Sequence, residues 1–106
     1  MSATSTTSGS AVITNKSKNQ SVTQILTSSA ALCEQDAEWI VEDFEEGSSL
    51  VQFADFGTVT FSGAGAHTPN GTVGPANANR IEIYQNEILT ETTGDDTSIT
   101  VKYNSA

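Results

Sequence analysis

The chain has 106 residues, 13 of them acidic and 4 basic, for a net charge of −9 at pH 7. That length fits one domain, and the acidic balance argues against nucleic acid and anionic membrane surfaces as partners, because both need a basic face. Ser, Thr, Gly and Asn are abundant and Lys, Arg and Leu are scarce, a composition that points to an all-β domain.

In chain order, residues 1–10 form a Ser/Thr/Gly tail, expected to be mobile. The β-branched run 10–15, the polar turn 16–20 and the alternating run 21–27 predict a hairpin. Residues 28–36 read as a loop and 37–44 as the next strand, which "EEGSS" (45–49) breaks. Residues 50–66 hold one or two strands, with Gly57 at a bend. The stretch 67–79, with two prolines and Asn70-Gly71, is a loop. Residues 80–85 and 87–92 predict strands around a tight connection at Asn86. "GDD" (94–96) is a turn, and 97–103 is the last strand, with Ile99, Val101 and Tyr103 on one face. Short strands punctuated by turns predict an antiparallel β-sandwich of concanavalin-like or jelly-roll-like type spanning 11–106.

The chain offers little to a cofactor or a metal. One histidine and one cysteine do not make a zinc site; His67 reads as a solvated loop residue and "GDDTS" as ordinary turn chemistry. There is no nucleophile elbow and no phosphate-binding glycine loop. Neither a metal nor a cofactor is expected. No apolar run approaches the ~18 residues of a membrane-crossing helix, and the N-terminus lacks the basic and apolar regions of a signal peptide. Asn15, Asn19 and Asn70 begin N-glycosylation sequons, which matter if the chain is secreted. Cys33 has no partner within the chain: it reads as a buried small apolar group or as an odd cysteine whose partner lies elsewhere.

The segment "AEWIVEDF" (37–44) threads acids through apolar residues. As a strand it would place Ala37, Trp39 and Val41 on a core face and Glu38, Ile40 and Glu42 on the other. That second face is either an ordinary solvated one or one that presents a carboxylate for general acid–base work.

The longer stretch "CEQDAEWIVEDFEEGSSLVQFADFGTVTF" (33–61) resembles the glutamic endopeptidases, the eqolisin family of fungal acid proteases. So do "GTVGPA" (71–76), "SITVKY" (98–103) and the upstream "SGSAVITNKSKNQSVTQIL" (8–26). The resemblance implies a secreted peptidase with an antiparallel β-sandwich whose concave sheet carries a catalytic glutamate and glutamine. The glutamate falls at Glu42, with Glu38 and Ile40 as its groove-facing neighbours. The family's glutamine lies in an upstream Gly/Asp/Trp/Tyr-rich segment. Gln20, Gln24, Gln35, Gln52 and Gln85 do not stand in that context, and Cys33 is left without the upstream cysteine that its family counterpart would pair with. The expectation is therefore a partial peptidase domain, the C-terminal half of the family fold. It would be inactive alone and would cleave a peptide or protein substrate once completed by a glutamine-bearing segment. As alternatives, the chain is a non-catalytic β-sandwich that binds a partner, or a hydrolase using Glu38 and Glu42 as a carboxylate pair. A half-sandwich with uncovered strand edges also invites a strand-exchanged homodimer.

Overall fold

The computed structural model describes residues 1–104; Ser105 and Ala106, the end of the expected 11–106 domain, lie outside the described residues. The strands are β1 (Ser2–Ser5), β2 (Ser8–Asn15), β3 (Gln20–Thr27), β4 (Glu45–Glu46), β5 (Ser49–Leu50), β6 (Thr58–Ser62), β7 (Ala66–Thr68), β8 (Gly71–Val73), β9 (Thr90–Gly94) and β10 (Ser98–Tyr103), with one 3-10 turn at Pro75–Asn77. All strand pairs are antiparallel, and no α-helix occurs among the described residues. This is the all-β antiparallel class that the sequence predicts, and a β-sandwich is consistent with it. The chain divides into two compact units, residues 1–36 and residues 37 onward.

In the first unit the expected hairpin is present. β2 and β3 pair along their whole length, from Ser8 opposite Thr27 to Asn15 opposite Gln20. The register puts Ile13 beside Val22 on one face and Val12 beside Thr23 on the other. The expected mobile tail is not observed. Residues 2–5 form β1, which pairs with β2 to give a sheet ordered β1-β2-β3. Small side chains make this possible: a Cβ added at Gly9 would lie 2.7 Å from the Ser2 carbonyl oxygen, so only glycine lets the two backbones come this close. Cys33 is exposed, which corrects its reading as a buried apolar group.

In the second unit the sheet is ordered β6-β10-β9. Its register aligns Phe61 with Ile99 and Val59 with Val101 on one face, and Thr60, Thr100 and Thr93 on the other. Ile99 and Val101 are buried together with Leu89, Ala64 and Thr90, whereas Thr60 and Thr100 share a hydroxyl–hydroxyl hydrogen bond of 3.0 Å on the outer face. Phe53, Phe56 and Tyr103 gather with ring centroids 5.6–6.1 Å apart. Between those aromatics and β6 the chain turns at Gly57 (φ 71°). The Asp55 carboxylate accepts the Gly57 N–H (3.0 Å), and the Gly57 carbonyl accepts the Tyr103 N–H (2.8 Å). The expected bend at Gly57 is thus a left-handed turn, a conformation glycine adopts at no steric cost.

Two expected strands differ from the structure. Residues 37–44 join no ladder, and "EEGSS" is the tight β4–β5 hairpin rather than a simple break. The strands expected at 80–85 and 87–92 shrink to a single bridge between Tyr84 and Ile88 around Asn86 (φ 62°), with β9 beginning at Thr90. Side chains replace the ladder there. The Thr90 hydroxyl accepts the Ile83 N–H (2.9 Å), and the Glu82 carboxylate accepts the Thr92 N–H (2.7 Å) and the hydroxyls of Thr90 (2.7 Å) and Thr92 (2.9 Å).

The β9–β10 turn rests on Asp95, whose carboxylate accepts the N–H groups of Thr97 and Ser98 and the Ser98 hydroxyl at 2.9–3.0 Å. The Thr97 backbone bond leads the Ser98 bonds in holding the Asp95 pKa below the ordinary aspartate range. A carboxylate with a lowered folded pKa contributes stability above its unfolded pKa and loses it as pH falls through the folded one. Asp95→Asn, which keeps the shape and removes the charge, is therefore expected to be less stable than wild type at neutral pH. The difference should narrow as pH drops below about 3.9 and close below the folded pKa, as checked by urea denaturation at a series of pH values.

Candidate active site

The acid-rich segment 37–44 has no ladder to hold it, yet from Glu38 to Phe44 its side chains alternate; Ala37, expected on the core face, is exposed. Trp39, Val41 and Asp43 are half-buried, and Glu38, Ile40, Glu42 and Phe44 are exposed, Ile40 at 55%. An extended chain sends successive side chains to opposite sides, so the segment keeps strand phase without strand pairing. Glu38, Ile40 and Glu42 share the open side. Glu38 and Glu42 are four residues apart, which on an extended chain separates them by about 13 Å.

What fixes the phase is a residue that the sequence reading passed over. Asp43 falls on the covered side with Trp39 and Val41, and a carboxylate placed there needs a partner. The partner is Gln85, whose Nε2 donates to Asp43 Oδ2 at 2.7 Å in a part-buried setting. Gln85 is in turn fixed by the tight loop around Asn86, where its N–H donates to the Glu87 carbonyl (3.0 Å), and Leu89 N–H donates to the Ile83 carbonyl (2.8 Å). Glu82, three residues before Gln85, is tied to β9 through Thr90 and Thr92. A relay thus runs from β9 to Glu82 by hydrogen bonds, along the backbone from Glu82 to Gln85, and by one hydrogen bond to Asp43 in the peptide that carries Glu42. The periodicity contained a clue to it: Asp43 is the acid in phase with Trp39 and Val41.

The remaining candidates lie elsewhere. Asn15, Asn19 and Cys33 belong to the first unit, and Asn70 sits in the β7–β8 turn. Among the described residues no three His, Cys, Asp or Glu side chains gather as a metal-ligand set.

The profile of the Peptidase A4 family matches residues 1–103. The chain belongs to that family. It is 51% identical over 104 residues to aspergillopepsin-2 of Aspergillus niger, covering 95% of this chain and 37% of the relative. It is 33% identical over 113 residues to scytalidopepsin B of Scytalidium lignicola, covering 97% of this chain and 44% of the relative. Its fold matches the crystal structure of aspergilloglutamic peptidase from Aspergillus niger with a TM-score of 0.87 at 50% identity, over 96% of this chain and 62% of that one. The chain is thus a glutamic peptidase family member that spans less than half the length of the two relatives. The A4 family match takes in both the Glu42 segment and the relay that anchors it.

The relay generates a prediction. Gln85→Leu removes the amide donor and leaves the half-buried Asp43 carboxylate unsatisfied, a cost of about 1–3 kcal/mol. Hydrogen exchange of amides 38–44 should speed up in this variant, while amides of β10 keep their protection. The double variant Gln85→Leu, Asp43→Leu should recover part of the loss, and unchanged exchange at 38–44 in Gln85→Leu would show that the relay does not hold the segment.

Proposed function

We propose that this chain supplies the general-base glutamate, Glu42, of an acid endopeptidase. In this reading a glutamine from a segment other than those around Gln20, Gln24, Gln35, Gln52 and Gln85 completes the site. The observation that carries the reading is the placement of Glu42: it stands on the open side of a peptide whose opposite side is anchored through Asp43 and Gln85, in a chain of the Peptidase A4 family. The Glu42 carboxylate takes a proton from a water molecule, which attacks the scissile carbonyl carbon. The glutamine amide donates to the oxyanion of the tetrahedral intermediate. Glu42 then passes its proton to the leaving nitrogen as the C–N bond breaks. The same reading gives the chain an extracellular location. A glycosidase-like use of Glu38 and Glu42 is disfavoured, because two acids on one side of one peptide do not flank a scissile bond from opposite sides as such a pair must.

The test has two arms. The chain alone is expected to cleave denatured protein at acid pH no faster than a buffer blank; loss of a single oxyanion donor costs roughly 10²–10³ in rate. The same residues grafted in place of the matching segment of aspergillopepsin-2 are expected to give an active protease, and Glu42→Gln should reduce its kcat at least 10³-fold, an order-of-magnitude expectation for a group that both takes and gives the proton. Acid proteolysis by the chain alone, or an active graft indifferent to Glu42→Gln, would overturn the reading.

The alternative, a non-catalytic binding module, draws support from the first unit. Val12, Ile13, Val22 and Ile25 are exposed at 57–74%. β3 is an edge strand of eight residues with neither charge nor proline, so it lacks the devices that keep edges from pairing. The chain can use that edge to form a strand-paired homodimer even where it has no catalytic role. Its net charge of −9 opposes such association at low salt. Light scattering is expected to show a dimer fraction that grows with ionic strength, with slowed hydrogen exchange in residues 20–27. A salt-independent monomer with freely exchanging β3 amides would exclude the dimer.

A further inference from the structure

The three sequons fall on turns. Asn15 closes β2, Asn19 (φ 51°) ends the β2–β3 loop, and Asn70 stands with Pro69 in the two-residue loop between Thr68 and Gly71. All three asparagines are exposed, and none lies on the paired stretch of the β6-β10-β9 sheet. They differ in what their side chains do. The Asn15 Oδ1 accepts the Lys18 N–H at 3.2 Å and so takes part in its own loop. Asn19 shares that loop, four positions on, so a glycan on either residue would crowd the other.

The Asn70 turn is built without its side-chain amide. The Thr68 hydroxyl donates to the Gly71 carbonyl (2.7 Å) and accepts the Asn70 N–H (3.2 Å), and the Thr72 hydroxyl is bonded to His67 Nδ1 (2.7 Å). These bonds span the turn from both sides, and all of them survive substitution at Asn70 Nδ2. Gly71 (φ 120°) brings no side chain beside the amide.

From this geometry we propose that Asn70 is an N-glycan acceptor, with Thr72 as the hydroxyl of its sequon. The donor is a lipid-linked oligosaccharide diphosphate. Asn70 Nδ2 forms a bond to the anomeric carbon of the first sugar, the bond from that carbon to the diphosphate oxygen breaks, the lipid diphosphate leaves, and one Nδ2 proton passes to a base of the transferase. The proposal rests on the extracellular reading above only for the compartment in which the donor is met; the acceptor geometry is independent of catalysis.

The experiment expresses the full chain behind a cleavable secretion signal in a yeast host and analyses total cell extract together with medium, so that poor export does not hide the product. Peptide mapping after enzymatic deglycosylation in ¹⁸O-labelled water reads each asparagine separately. Asn70 is expected to return as labelled Asp in the wild type, to be lost in Asn70→Gln and Thr72→Ala, and to be retained in Thr72→Ser. Loss in Thr72→Ala with retention in Thr72→Ser separates the sequon from any folding defect. An unlabelled Asn70 peptide in the wild type overturns the proposal, whether or not Asn15 or Asn19 is labelled. The grafted-protease assay decides the peptidase reading separately, so failure of one does not imply failure of the other.

Discussion

The Glu82 carboxylate holds the second unit's irregular parts to its regular one. Three hydrogen bonds reach it from β9: the Thr92 N–H and the hydroxyls of Thr90 and Thr92. Thr90 is 1% exposed, and a buried hydroxyl left without a partner is costly. Glu82 and Ile83 together satisfy it, since the hydroxyl donates to Glu82 and accepts the Ile83 N–H. Packing β9 thus requires the 80–85 segment to lie where it does. Gln85 is then three residues away and in place to bind Asp43. The peptide that presents Glu42 is positioned by side chains rather than by a ladder.

This arrangement explains what the sequence could and could not show. The β2–β3 hairpin was legible because its partner strands are neighbours in the chain and alternation with a polar loop encodes the pairing locally. β10 was legible for a similar reason, since Ile99 and Val101 share a phase and both are buried. Alternation in 37–44 was also legible, and the phase with Trp39 and Val41 on the covered side agrees with it. Its lack of a ladder was not, because pairing depends on distant partners that periodicity does not encode. The strands expected at 80–92 failed for a local chemical reason. The Thr90 hydroxyl and the Glu82 carboxylate take the N–H groups of Ile83 and Thr92, and side chains of this kind compete with ladder bonds. The 1–10 segment failed in the opposite direction: its small polar residues look like a tail, yet Gly9 allows the close backbone approach that seats β1.

Charge is divided as unevenly as order. Within residues 1–36 two lysines, Lys16 and Lys18, balance Glu34 and Asp36, so the whole net charge of −9 falls on the rest of the chain. In the first unit the β2–β3 hairpin exposes apolar side chains and β3 itself carries no charge, and the second unit has acids in excess. An edge strand free of charge is a docking liability, and an acidic surface is a solubility device. The two properties belong to different parts of the sequence.

The acids of 37–46 answer to the same logic at finer scale. Glu38, Glu42, Glu45 and Glu46 are exposed, and Asp43 alone turns toward the covered side. Its partner is an amide. A lysine or arginine in the place of Gln85 would satisfy Asp43 more strongly but would set a full positive charge one residue from Glu42. The neutral amide supplies direction without a counter-charge, so it holds the backbone phase and adds no net charge beside the neighbouring carboxylate. A site meant only for stability would favour the stronger pair. On the proposed reading, in which Glu42 acts on a water molecule, the weaker, uncharged tie serves the exposed glutamate better.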